Sequence, residues 1–96
     1  MPDINLGLQI VPKSKTLDAY ALVDKAIEVI ASSGVKFTVT PFETVMEGPE
    51  DKLMSIAKRA QQAVLDAGAE EILVYYRLHI RNNRDVTMEE KTSKYR

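Results

Sequence analysis

The stretch Thr40-Pro41-Phe42-Glu43-Thr44-Val45-Met46-Glu47-Gly48 concentrates side chains that can recognise a ligand. Thr40, Glu43, Thr44 and Glu47 all carry side-chain oxygens that accept hydrogen bonds, and the Met46 thioether is a weak acceptor. A proline opens the stretch and a glycine closes it. Read as a strand, Phe42, Thr44 and Met46 share one face, and Glu43, Val45 and Glu47 share the other. Acidic residues are depleted in strands, so two carboxylates on one face point either to a solvated edge or to a small-molecule site on a sheet. Glu47 is the leading site candidate; Gln9, Thr38, Glu43, Thr44 and Tyr75 join it below.

Other chemistries find less support. His79 is the only histidine and the chain has no cysteine, so neither a thiolate metal site nor a multi-histidine site can form. Ser32 and Ser33 have no His/Asp arrangement in the sequence that would make either a nucleophile. Arg77, Arg81 and Arg84 can meet an anion or stay solvated at a strand end. A net charge of -1 on 96 residues argues against a nucleic-acid footprint.

The elements that must position these residues follow from periodicity. Ile4, Leu6, Leu8 and Ile10 alternate with Asn5, Gly7, Gln9 and Val11, a half-buried strand in which Gly7 leaves room for a close approach to the backbone. Thr16 is the expected cap of a helix carrying Leu22, Val23, Ala26, Ile27 and Ile30 on one stripe, with Gly34 ending it. Val35, Phe37 and Val39 alternate with Lys36, Thr38 and Thr40 in a second strand. The acidic stretch is the third, reached through so short a connection that the two form a hairpin. Pro49, Glu50 and Asp51 open a second helix with an apolar stripe from Leu53 to Ala67, closed by Gly68. Ile72, Val74, Tyr76, Leu78 and Ile80 alternate with Leu73, Tyr75, Arg77, His79 and Arg81 in a fourth strand. Asn82 to Asp85 is turn-rich, and Thr87 with Glu90 forms a capping-box pattern that starts a short helix at about Met88.

With 45% hydrophobic and 28% charged residues, residues 1–96 make one ordinary globular domain. The order of elements is the α+β, ferredoxin-like βαββαβ plan. It implies a four-stranded antiparallel sheet with both helices on one face, plus the short C-terminal helix. Gln9, Thr38, Glu43, Glu47 and Tyr75 then fall on the open sheet face. Thr44 is on the helix-facing parity. Val11, Val45, Leu73 and Tyr75 make part of the open face apolar enough to favour burial against another copy. The start Met1-Pro2-Asp3 has no basic, apolar leader, so cytoplasm is the default compartment, and no apolar run reaches membrane-spanning length.

The residues also resemble a family. Gln9-Ile10-Val11-Pro12, Ser33-Gly34, Thr40-Pro41 through Thr44-Val45-Met46-Glu47-Gly48, Ala67-Gly68-Ala69, Arg81, and Thr87-Met88-Glu89 with Lys91 are similar, in order and spacing, to the small thiamine-binding proteins related to YkoF. The resemblance spans the whole chain and implies a homo-oligomer, a dimer or a dimer of dimers. It implies binding of thiamine or its hydroxymethylpyrimidine moiety, with no cofactor and no catalysis. Glu47 and Gln9 lead the expected contacts, with Thr38, Glu43, Thr44 and Tyr75 behind them. An enzyme on the same fold, an RNA-recognition module and a ligand-free oligomerisation domain are the competing readings. The RNA module is disfavoured because the central strands carry Gln9, Glu43 and Glu47 where stacking aromatics are needed.

Overall fold

A computed structural model describes residues 2–96. Its elements are β1 (Ile4–Lys13), α1 (Ala19–Ala31), β2 (Lys36–Val39), β3 (Thr44–Gly48), α2 (Glu50–Asp66), β4 (Glu71–His79) and α3 (Met88–Thr92), followed by a 3₁₀ turn, Ser93–Tyr95. The sheet order is β2-β3-β1-β4 and every pairing is antiparallel, as the ferredoxin-like plan requires.

Alternation does the sorting. Ile4, Leu6, Leu8 and Ile10 of β1 are buried against α1 through Leu22, Ala26 and Ile30, and against α2 through Leu53, Ile56, Ala57, Ala60 and Val64. Met46 joins them from β3. The alanines of α2 allow its backbone to lie close to the sheet, and the Tyr76 hydroxyl donates to Gln61 Oε1 at 2.8 Å, tying β4 to α2. Burial pushes the Tyr76 phenol above its ordinary pKa.

Several local expectations are corrected. The cap of α1 is Asp18, whose carboxylate accepts from the Ala21 N–H at 3.0 Å. Thr16 and Leu17 instead donate their backbone N–H groups to Ser14 Oγ, so Ser14 organises the approach and moves the helix start two residues on. Gly68 directly follows the cap Ala67 with φ +114°, but Gly34 lies two residues past the cap Ser32, with φ +87°.

The third strand starts at Thr44, because Thr40 to Glu43 close a turn. The Thr40 N–H donates to the Glu43 carbonyl at 2.9 Å, the Thr40 hydroxyl donates to the same oxygen at 2.7 Å, and the hydroxyl oxygen accepts the Glu43 N–H at 3.1 Å. Phe42 therefore sits at a turn tip and is 80% exposed instead of facing the core. Leu78 and Ile80 are also exposed. β4 is an edge strand, and the helix layer covers only its Ile72, Val74 and Tyr76.

The last element lies on the other side of the sheet. Val86 and Met88 are buried but are not part of the main core. The capping box is formed: Thr87 Oγ1 accepts the Glu90 N–H at 3.1 Å, and Glu90 Oε1 accepts the Thr87 N–H at 3.0 Å. The Arg81 guanidinium grips Glu90 with two bonds of 2.9 and 2.7 Å. That grip, aided by the Thr87 N–H, holds the Glu90 carboxyl well below the usual carboxylate range.

Candidate functional site

Strand register arranges the open face as cross-sheet rows. One row runs Lys36, Glu47, Asn5, His79, and the next runs Thr38, Val45, Gly7, Arg77. Beyond them Gln9 pairs with Tyr75. The C-terminal segment closes over the first row. Glu47 Oε1 accepts the Met88 N–H at 2.6 Å, Asn5 Nδ2 donates to the Val86 carbonyl at 3.0 Å, and Lys91 Nζ donates to Asn5 Oδ1 at 2.9 Å. Asn5 is thereby buried with both ends of its amide satisfied.

The second row stays open and forms the floor of a cleft of about 320 Å³. One wall is the turn, through Thr40 and Glu43; the other is the C-terminal segment, through Met88, Lys91 and Thr92. Gly7 is central to it. The Glu43 carboxylate lies over Gly7 so closely that a Cβ there would collide with Glu43 Oε1. The close approach expected at Gly7 is thus made by an acid of the same chain. Glu43 Oε2 lies 3.9 Å from Arg77 NH1; the acid's side chain is 24% exposed and the arginine's 82%. Past this pair is a further recess of about 280 Å³, bounded by Gln9, Phe42 and Tyr75. Glu43 and Arg77 line both spaces, so the two are adjacent.

This arrangement suits recognition of a small polar molecule. A cleft of that volume lies within the range of small-ligand sites, about 300–1,000 Å³. A half-sheltered carboxylate accepts amino-group hydrogens or faces a cation, with Thr38 and Thr40 hydroxyls beside it. Among the described residues, no group of three or more histidines and acids is placed to hold a metal ion. The hydroxyls of Ser32 and Ser33 are spent on the carbonyls of Val29 and Ile30. No helix among the described residues is long and apolar enough to cross a membrane.

Compared with known proteins, residues 6–96 match the family model described as thiamine-binding protein. The chain belongs to the thiamine-binding protein family. A UPF0045 protein of Clostridium perfringens is 42% identical over 96 residues, covering 100% of both chains. A domain of unknown function from Bacillus cereus superposes with a TM-score of 0.95 at 46% identity, covering 99% of this chain and 91% of that one. A Thermotoga maritima structure described as a candidate thiamine biosynthesis/salvage protein superposes with a TM-score of 0.89 at 28% identity, covering 99% of this chain and 100% of that one.

In this family member the six sequence-predicted residues separate by place. Thr38 and Glu43 line the main cleft, and Gln9, Glu43 and Tyr75 line the recess beside it. Thr44 is buried on the helix side. Glu47 lies under α3 and holds its first N–H. Thr40, Asn5 and Lys91 also line the cleft, although the sequence, which offered Thr40 as an acceptor and Lys91 in the family match, did not single them out as contacts. The spacing Thr40-x-x-Glu43 is itself a turn signal, and an asparagine in a central apolar strand is a signal of a buried polar bond. Lys91 had no local signal, because its partner Asn5 is 86 positions away.

Proposed function

We propose that this chain binds thiamine, or its hydroxymethylpyrimidine moiety, in the open-face cleft as a homo-oligomer and releases it unchanged. The observation that carries the reading is the Glu43 carboxylate poised over Gly7 between the turn and the C-terminal segment. An aminopyrimidine presents an amino donor beside ring-nitrogen acceptors. Glu43 accepts from the amino group, and the Thr38 hydroxyl donates to the ring. The thiazolium is a cation, which the same acid favours, and the face of Tyr75 in the adjoining recess can stack on the pyrimidine ring. Gln9 completes the polar contacts there. The family description and that of the Thermotoga maritima relative support this ligand class.

Glu47 takes a different role in this reading from the one its sequence position suggests. It fixes the α3 wall of the cleft and makes no ligand contact. A second copy laid on the open face would shelter the exposed Leu73 and Tyr75 and roof the recess, which excludes water from the Glu43 contact. Thermal unfolding with and without millimolar thiamine tests the reading: a rise in midpoint with ligand is expected, and an unchanged midpoint counts against it.

A further inference from the structure

We propose that the cleft takes its ligand as a phosphate monoester, with Lys91 as the cation that meets the phosphate. The inference rests on the ligand reading above and adds the ionic form of the ligand. The protein as a whole carries a net charge of -1. The cleft does not share that balance: among the described residues Arg77, Lys91 and Arg96 border it, with Glu43 as the one acid in its lining.

The basic groups are not equivalent. Arg96 is paired with Glu89 at 3.2 Å, and Arg77 faces Glu43 at 3.9 Å. Lys91 is the unneutralised one. Among the described residues no carboxylate lies within 4.0 Å of its ammonium, and its hydrogen-bond partner is the neutral Asn5 amide at 2.9 Å. That amide is 4% exposed and locked by its second bond to the Val86 carbonyl. Burying a polar amide in a central strand costs free energy unless every bond is made, and here the bonds made aim a lysine. A lysine ammonium has three donors, so two remain for a ligand.

Placement along β1 completes the argument. Glu43 stands over Gly7 and Lys91 is held on Asn5, two residues away on the same face. Two strand residues span roughly 6–7 Å, a distance a small phosphorylated alcohol bridges. The aminopyrimidine or thiazolium end then faces the acid, and the phosphate end faces Lys91, with the exposed Arg77 guanidinium free to swing toward it. One cleft thus carries opposite charges at its two ends, as a zwitterionic ligand requires.

Titration calorimetry of the intact protein with thiamine, thiamine monophosphate and inorganic phosphate tests this. The monophosphate is expected to bind about tenfold tighter than thiamine, as for one charge-assisted bond. Lys91→Gln keeps an amide donor for Asn5 while removing the charge, and is expected to bring the two affinities together by weakening the monophosphate alone. Equal wild-type affinities for both ligands overturn the proposal while leaving the thiamine reading standing. So does a Lys91→Gln variant that weakens both ligands alike, which makes the lysine a tie for α3 only. Binding of inorganic phosphate as tight as that of the monophosphate also overturns it, as a site for free anions. If neither organic ligand binds, both readings fall.

Discussion

Gly7 and Glu43 set what the cleft can hold. Gly7 has no positive φ, so alanine fits the backbone there, and the atom it displaces is the far end of a flexible glutamate. Gly7→Ala is therefore expected to fold with unchanged or slightly raised stability, since alanine also narrows the unfolded ensemble. Moving Glu43 off its position is expected to lower thiamine affinity about tenfold, ~1.4 kcal/mol. Calorimetry beside a urea unfolding curve checks both halves; lost stability with intact binding contradicts the account. Glu47 behaves in the opposite way. Removing the acceptor of the Met88 N–H in Glu47→Ala is expected to cost about 1–2 kcal/mol of stability in the same urea experiment. At this scale the sequence is ambiguous for a physical reason. Glu43 and Glu47 share a parity, and alternation places both on the open face. Only the docking of α3, a contact across 41 positions, assigns one to the wall and leaves the other in the cleft.

Among the elements, the short C-terminal helix is the one whose presence depends on charge. A five-residue helix has little stability of its own. It is held by the capping box, the Arg81–Glu90 pair and the buried Val86 and Met88. Glu90 ionises in the folded protein well below its ordinary value of 4.5. A depressed folded pKa contributes stability that is present above the unfolded value and is lost as pH falls toward the folded one. Wild type is thus expected to melt above Glu90→Gln at pH 7 and to lose that advantage progressively below about pH 4.5. A difference that stays constant from pH 7 to pH 3 contradicts it. The helix was legible because its signal is local: Thr87 and Glu90 stand three apart. The α1 cap and the start of β3 were not, because Ser14 and Thr40 divert the chain with side-chain-to-backbone bonds that periodicity does not report. Of the core positions expected on the second and fourth strands, Val35, Phe37, Ile72, Val74 and Tyr76 pack on the core, as does Met46 of β3, whereas Val39, Leu78 and Ile80 are exposed.

The whole molecule is two layers, with principal extents of 45 × 29 × 21 Å. Helices cover one sheet face, and the C-terminal segment covers only one end of the other. The architecture was legible from the order of periodic segments, since two apolar helices and four alternating strands leave few ways to bury one core. What covers the rest of the open face was not, since alternation reports which residues are apolar but not which copy they meet. Leu73 and Tyr75 remain exposed on β4, 40% and 52% respectively. Light scattering at micromolar concentration is expected to give at least twice the 10.8 kDa chain mass; a value at the chain mass contradicts the assembly. The central claim is that the Glu43 carboxylate recognises thiamine or its pyrimidine half on this face. Titration calorimetry of thiamine into wild type and Glu43→Gln, at matched folded fraction, tests it most directly. The account predicts a clear binding isotherm for wild type, weakened by roughly 1–3 kcal/mol in Glu43→Gln with an unchanged melting temperature. No heat with millimolar thiamine in the wild type, or equal affinity in the two proteins, would contradict it.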